Sequence, residues 1–169
     1  MTALPTLEQF HSGEQNRQWL NEIYDMNQAN TPNVGSLDSI EDLEQLISLS
    51  TYNLVALDQG AVVGFIICLR EGTSYGSENY KFFLNKLKKF LYVDRICIKK
   101  GYRRAGLGKA IYDNIFLEAK KYSLPVSLEV NTKPLNQGSL DFHELMGFDQ
   151  IGAKTLLITA LLTLLNNHI

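Results

Sequence analysis

The spacing of apolar and polar positions in the first part of the chain predicts two helices and a hairpin. Apolar residues at helical spacing predict a helix over residues 14–28 and a second helix that Asp38 or Ser39 caps. Two apolar runs, 52–57 and 61–69, flank the turn sequence Asp-Gln-Gly and predict a β-hairpin. The second run is almost entirely apolar, which is typical of a strand covered on both faces.

The rest of the chain alternates helices and strands. The predicted elements are a short basic amphipathic helix (81–90), a strand (91–98), a glycine-containing loop, a helix with an apolar stripe from Leu107 to Tyr122, a strand (126–131), a short helix (139–145) that Gly147 ends, and one or two strands in the tail (148–165). This order predicts an α/β fold, a single domain over residues 1–169 with a mixed sheet built around a strand–loop–helix–strand unit. The leucine-rich end, residues 156–169, also suits a helix.

Composition narrows the class of protein. The 169 residues are 45% apolar and 20% charged, with a formal net charge of −2, which is ordinary for a soluble globular domain and argues against a general nucleic-acid binder. Cys68 and Cys97 lie in apolar runs and are interpreted as buried thiols of a cytoplasmic protein. We expect no metal site and no membrane span, because the longest mostly apolar run is about half of the ~20 residues that a span needs. An exposed apolar tail would favour a homodimer.

The loop after the predicted strand 91–98 is a candidate anion site. Arg103, Arg104, Gly106, Gly108 and Lys109 come together where a helix begins, so backbone N–H groups, two guanidinium groups and close backbone approach would suit a pyrophosphate. A solvated strand-to-helix turn is the alternative. The loop departs from a Walker loop and from a dinucleotide fingerprint at the positions after its glycines.

The pattern Arg-x-x-Gly-x-Gly, residues 103–108, resembles the acetyl-CoA loop of the GNAT superfamily of N-acetyltransferases. The strand ending "EVN" and the segment from Asn136 to Phe148 resemble that superfamily's Asn-x-x-Ala/Ser-x-x-x-Tyr-x-x-x-Gly-Phe pattern, and residues 77–96 are similar to a bacterial branch of predicted acetyltransferases. The resemblance covers residues 52–152. It implies a mixed central sheet flanked by helices, with a splayed pair of central parallel strands, and acetyl-CoA as cosubstrate.

The resemblance also assigns residues to the carrier. Strand-edge backbone groups would pair with the pantetheine arm, and loop amides would hold the pyrophosphate. The residues so assigned are Ile96, Cys97, Ile98, Arg103, Arg104, Ala105, Gly106, Leu107, Gly108, Lys109, Asn131 and Asn136.

Two residues are predicted to be catalytic. His143 stands where the superfamily often has a tyrosine that protonates the departing thiolate; it could act as acid, as base or as an acceptor-binding donor, or it could simply form a structural hydrogen bond. Asp94, a carboxylate inside an apolar strand, is the candidate base, with a salt bridge to Arg95 as the alternative. Glu129 on the next strand is a second candidate base, and Tyr92 shares the face of Asp94.

The acceptor is expected to be a primary amine that meets the thioester where the two central strands part. The polar loops 71–80 and 26–35 are candidate covers for it. The sequence leaves open a small amine, an amino acid or a protein N-terminus. Two alternatives to an acetyltransferase remain: a non-catalytic CoA-binding sensor or pseudoenzyme, and a P-loop-like nucleotide binder.

Overall fold

Seven strands form one sheet in the computed structural model, which describes residues 3–133, 135–154 and 159–164. The strands, in the spatial order β1-β2-β3-β4-β5-β7-β6, are β1 (Thr6–Gln9), β2 (Tyr52–Asp58), β3 (Ala61–Arg70), β4 (Leu91–Ile98), β5 (Val126–Asn131), β6 (Asp149–Lys154) and β7 (Thr159–Leu164). The helices are α1 (Arg17–Ala29), α2 (Ile40–Leu49), α3 (Glu78–Lys86), α4 (Leu107–Lys121) and α5 (Gln137–Leu145).

The central parallel pair diverges soon after it begins. Pairing between β4 and β5 runs only from Leu91↔Val126 to Val93↔Leu128, whereas the other neighbouring strands are antiparallel. The remaining residues of β4, from Asp94 onward, therefore have no partner on β5. The predicted mixed sheet with splayed central strands is confirmed.

Apolar clusters cover both faces of the sheet. One cluster joins α1, α2 and α3 to the sheet and includes Ile23, Leu43 and Phe83. The other joins α4 to the opposite face and includes Ile111 and Ile115. Both clusters draw on β3, which explains why this strand is almost entirely apolar.

Several predicted boundaries shift, and one strand is new. The helix predicted over 81–90 is wrong in its limits: α3 begins three residues earlier, because the Ser77 hydroxyl accepts from the Tyr80 amide, and it ends at Lys86. The α5 helix begins two residues earlier than predicted. The short, mostly exposed β1 has no clear apolar pattern and pairs with β2 at the edge of the sheet.

The tail, predicted to hold one or two strands, contains two, β6 and β7, which form an antiparallel pair. Residues 155–158 and 165–169 lie outside the described residues, so the prediction for the end of the tail is tested only over 159–164. Cys68 and Cys97 are free and buried, as predicted. Within the described ranges no helix has the length and apolar character to cross a membrane.

Candidate active site

A bulge in β4 shapes the point where the central strands separate. Arg95 pairs with Ile67 and Val93 pairs with Cys68, so Asp94 is an extra residue with no partner on β3. The bulge interrupts the alternation of side chains along the strand. As a result, Asp94 and Arg95 reach the same side of the sheet although they are adjacent in sequence.

Asp94 and Arg95 form a buried ion pair. The Arg95 Nε donates to Asp94 Oδ2 at 2.7 Å, and the two side chains are 4% and 6% exposed, Asp94 the less. Nη1 of Arg95 also donates to Asn27 Oδ1 (2.7 Å) and to the Gly35 carbonyl (3.1 Å). The structure therefore agrees with the alternative prediction for Asp94, a salt bridge to Arg95. Its carboxylate is already paired with a buried guanidinium.

Glu129 lies directly after Leu128, the last residue of β5 that pairs with β4. The Tyr92 hydroxyl donates to its Oε2 at 2.5 Å, and Asn79 forms a second side-chain hydrogen bond with it. Burial, and then the nearby charge of Asp94, raise the pKa of Glu129 to about 7, although the Tyr92 and Asn79 bonds oppose that rise. Such a carboxylate exchanges protons near neutral pH, as a general base must.

The loop before α3 and the first turn of α3 contribute polar groups to the same place. Burial, and then the charge of Asp94, raise the pKa of Tyr75, whose hydroxyl hydrogen-bonds Asp94. The Asn79 Oδ1 is buried and has no hydrogen-bond partner among the described residues. Tyr80 instead donates to the Arg70 carbonyl inside the core. Tyr75 and Asn79 thus place polar groups of this segment beside Asp94 and Glu129.

The glycine loop is open to solvent where α4 begins. Gly106 has a φ of +87°, a conformation that favours glycine, and Arg104 has a φ of +60°. Gly108 is half-buried, and a Cβ there would lie 3.3 Å from Phe142 and 3.4 Å from Ile98, so α4 approaches β4 and α5 closely. Within the described residues no side chain caps α4, which suits an anion at this terminus.

Two basic side chains near the start of α4 already have partners within the protein. The Arg103 Nε donates to the Ile98 carbonyl (2.8 Å), and its Nη2 donates to Asn30 Oδ1 (2.7 Å). Lys109 pairs with Asp113 one turn further along α4 (2.7 Å). The side chain of Arg104 is exposed.

The strand-edge residues and the two asparagines lie around the opening. Ile96 and Ile98 are half-buried on the part of β4 that pairs with β3 and has no partner on β5. Burial raises the pKa of the Cys97 thiol to about 12, so it is a poor nucleophile. Asn131, at the end of β5, donates to the Pro32 carbonyl (2.7 Å), and Asn136 caps α5 by accepting from the Ser139 amide (3.3 Å).

His143 lies in an aromatic cluster between α4 and α5, away from the Asp94–Glu129 group. It is 4% exposed, and its Nδ1 is 2.7 Å from the Ser139 carbonyl, which only accepts, so this nitrogen carries the proton. Its Nε2 is 2.7 Å from the Tyr112 hydroxyl and therefore accepts. Burial lowers the pKa of His143, which keeps the ring neutral. This geometry agrees with the alternative in which His143 simply forms a structural hydrogen bond.

The structure thus brings Tyr92, Asp94 and Glu129 together and separates them from His143. Sequence reasoning did not find the bulge at Asp94 or the orphaned carbonyl of Asn79. The adjacent Asp-Arg pair in an apolar strand was the available signal for the bulge, because two opposite charges are best buried when they pair.

Three features together define an acyl-transfer domain. The central strands of a mixed sheet diverge, a helix with a solvent-exposed glycine loop at its start lies beside them, and a carboxylate lies in the gap. The model of the acetyltransferase (GNAT) family matches residues 17–148. The chain therefore belongs to the acetyltransferase (GNAT) family and is an acyltransferase.

Solved structures of acetyltransferases share the fold. Arabidopsis thaliana NAA60 in complex with a bisubstrate analogue has a TM-score of 0.68 at 13% identity, covering 95% of this chain and 99% of that one. A GNAT-family acetyltransferase from Streptococcus pneumoniae has a TM-score of 0.69 at 16% identity, with coverages of 95% and 99%. The Escherichia coli ribosomal-protein-S18-alanine N-acetyltransferase has a TM-score of 0.61 at 14% identity, with coverages of 97% and 99%. No curated protein matches the sequence significantly.

Proposed function

We propose that the protein transfers an acetyl group from acetyl-CoA to a primary amine by direct attack, with Glu129 as the general base. The observation that carries this proposal is the position of Glu129, held by Tyr92 and Asn79 where β4 and β5 diverge. Arabidopsis NAA60, which shares the fold, has been solved with acetyl-CoA. Its bound carrier supports the choice of cosubstrate.

The carrier would lie between the glycine loop and the open edge of β4. Backbone amides from Arg104 to Lys109 would bind the pyrophosphate, because an uncapped helix start favours an anion. The backbone of Ile96, Cys97 and Ile98 would pair with the amide-bearing pantetheine arm as an added strand would. Asn136, at the start of α5, would contact the carrier from the other side.

Catalysis would proceed in one displacement. Glu129 removes a proton from the acceptor ammonium, and the freed lone pair attacks the thioester carbonyl carbon. The C–S bond then breaks, and the thiolate takes the second proton that the nitrogen loses. An amide, a CoA thiol and protonated Glu129 result, so no covalent enzyme intermediate is needed.

Asn79 would bind the acceptor amine beside Glu129. Its amide donor group holds the Glu129 carboxylate, and its Oδ1 is left buried without a partner among the described residues. A buried acceptor without a donor costs free energy that a ligand N–H can recover. A primary ammonium carries three such donors, which suits one bond to Glu129 and one to Asn79.

We propose a peptide or protein N-terminus as the first acceptor class to test, because the Escherichia coli enzyme with this fold is a ribosomal-protein-S18-alanine N-acetyltransferase. A small amine or amino acid is the alternative acceptor. We also propose a cytoplasmic location, where acetyl-CoA is made and used, and a second copy of the chain as a candidate partner.

The test combines turnover and binding. Purified protein is incubated with acetyl-CoA and a panel of peptides, amino acids and polyamines, while calorimetry measures CoA binding. CoA binding together with turnover that Glu129→Gln abolishes supports the proposal. CoA binding without turnover of any amine supports the sensor or pseudoenzyme. Thermal stabilisation by ATP and none by CoA would support the nucleotide binder.

A further inference from the structure

The segment that joins α1 to α2, residues 30–39, is attached to the opening at three points. At its start, Asn30 Oδ1 accepts from Arg103 (2.7 Å). Further along, the Pro32 carbonyl accepts from Asn131 (2.7 Å). The Gly35 carbonyl then accepts from Arg95 (3.1 Å). These partners belong to the glycine loop, to β5 and to β4, so the connecting segment spans the gap between the diverging strands.

Arg103 is the only one of the three partners that also belongs to the proposed carrier loop. Its planar guanidinium reaches two acceptors at once, the Ile98 carbonyl at the end of β4 and Asn30 Oδ1 at the end of α1. Asn30 in turn donates from Nδ2 to the Met26 carbonyl at 2.7 Å. Arg103 therefore links the last residue of β4 to the last turn of α1.

We infer that Arg103 is a positioning residue, which fixes the connecting segment over the acceptor side of the opening and leaves the pyrophosphate to backbone amides. Two of its donors are already used, by the Ile98 carbonyl and by Asn30 Oδ1. The identity of the carrier in this inference rests on the proposed function, whereas the bond between the connecting segment and Arg103 is independent of that function.

The consequence concerns the acceptor more than the carrier. The segment is fixed to both diverging strands, so its position sets the width of the space beside Glu129 and Asp94. Loss of the Arg103 bond frees the start of the segment, while the bonds at Pro32 and Gly35 remain. We therefore expect Arg103 variants to loosen this segment and to bind CoA almost normally.

Hydrogen exchange of the unliganded protein measures the loosening. The Val34 amide donates to the Asn30 carbonyl (3.2 Å), so a peptide that contains Val34 reports on the segment. Arg103→Lys keeps the charge but has no planar guanidinium, and Asn30→Ala removes the acceptor. We expect each to speed exchange there about 2- to 10-fold. Asn30→Ala also removes the bond to the Met26 carbonyl, so the double variant should exchange no faster than Asn30→Ala. Asn30→Asp keeps an acceptor for Arg103 but loses the donor to Met26, so its exchange should lie between those of the wild type and Asn30→Ala.

The matched control is Lys100→Ala, which removes an exposed cation from the same loop and should leave exchange unchanged. Calorimetry should show CoA affinity within about 3-fold of wild type for Arg103→Lys and Asn30→Ala. Unchanged exchange in Arg103→Lys overturns the inference. So does a tenfold loss of CoA affinity in Arg103→Ala that Asn30→Ala does not share, since it makes Arg103 a phosphate ligand. If the wild type does not bind CoA, the proposed function fails, and the exchange experiment still decides the role of Arg103.

Discussion

The hydroxyl of Tyr92 donates a hydrogen bond to the carboxylate of Glu129 across the line where β4 and β5 part. Tyr92 pairs with Ser127 of β5, whereas Glu129 is the first residue of β5 beyond the pairing with β4. The bond therefore fixes a proton-accepting group at the entrance of the gap that the strands leave. An amine that enters this gap would therefore lie beside the Glu129 carboxylate.

Replacement of Glu129 by Gln should lower kcat about 10²- to 10⁴-fold, because the side chain keeps its size and loses its basicity. The wild-type rate should rise with pH through about 7, where Glu129 loses its proton. The variant should lose that rise. Steady-state kinetics from pH 5.5 to 9 measure both effects. Glu144→Gln, an exposed change on α5, is the control. A variant that keeps both kcat and the pH profile would remove Glu129 from the reaction.

Replacement of Gly106 by Asp should weaken CoA binding, because it places a carboxylate against the pyrophosphate. Gly106→Ala separates this charge from backbone strain, since the φ of +87° disfavours any side chain. Gly101→Asp adds the same charge at an exposed position of the same loop. Calorimetry with CoA should rank Gly106→Asp as the weakest binder. Unchanged affinity would place the carrier elsewhere.

Replacement of Asn79 by Ala should raise KM for the amine about 5- to 100-fold, because the amine loses an acceptor that no other group replaces. KM for acetyl-CoA should stay the same. Ser77→Ala, which removes the cap of α3, controls for displacement of this helix. Equal changes in the two KM values would instead indicate a general disturbance of the site.

The sequence predicts that His143→Phe lowers turnover more than CoA affinity, whereas the structure favours a packing role. The variant leaves the buried Tyr112 hydroxyl without its partner and should lower the free energy of unfolding by about 1–3 kcal/mol. Tyr112→Phe removes the same bond and retains the histidine. If both variants lose turnover and affinity in parallel, His143 packs the helices. A turnover loss confined to His143→Phe would restore its role as a proton donor.

The pH dependence of stability gives an independent measurement. Burial lowers the pKa of folded His143 below its ordinary 6.5, so below that pH the unfolded chain binds a proton that the folded chain does not. The stability that this neutral histidine contributes is present above pH 6.5 and is lost as pH falls from 6.5 through the lower pKa of the folded histidine. Urea unfolding at pH 5 and pH 7.5 should therefore show a smaller difference between wild type and His143→Phe at pH 5. A difference that grows at pH 5 would contradict this.

Replacement of Asp94 by Asn should cost about 3–5 kcal/mol of stability, because it leaves the Arg95 guanidinium buried without its counter-ion. Chemical denaturation measures the loss. Lys121→Met, which breaks an exposed pair with Glu118, should change stability little. If Asp94→Asn is as stable as wild type while turnover disappears, Asp94 and not Glu129 is the base.

Local sequence patterns determine most of the elements and the glycine loop before α4. The strands 91–98 and 126–131 have the predicted limits because apolar runs and flanking turn residues are local signals. The same holds for the helix that starts at Leu107, since glycine before a helix and an apolar stripe along it require no distant partner. The open, positive-φ start of α4 follows from Gly106 alone.

Tertiary structure decided which of the candidate groups share a site. The alternation rule places Asp94 and Arg95 on opposite faces, and a bulge that depends on pairing with β3 brings them together. His143 has the right position in a motif, yet the packing of α5 on α4 directs it to Tyr112. Glu129 gains its raised pKa from burial and from a charge on another strand. Sequence spacing describes neighbours along the chain, whereas a proton-transfer site depends on distances, burial and charge between elements that only folding brings together.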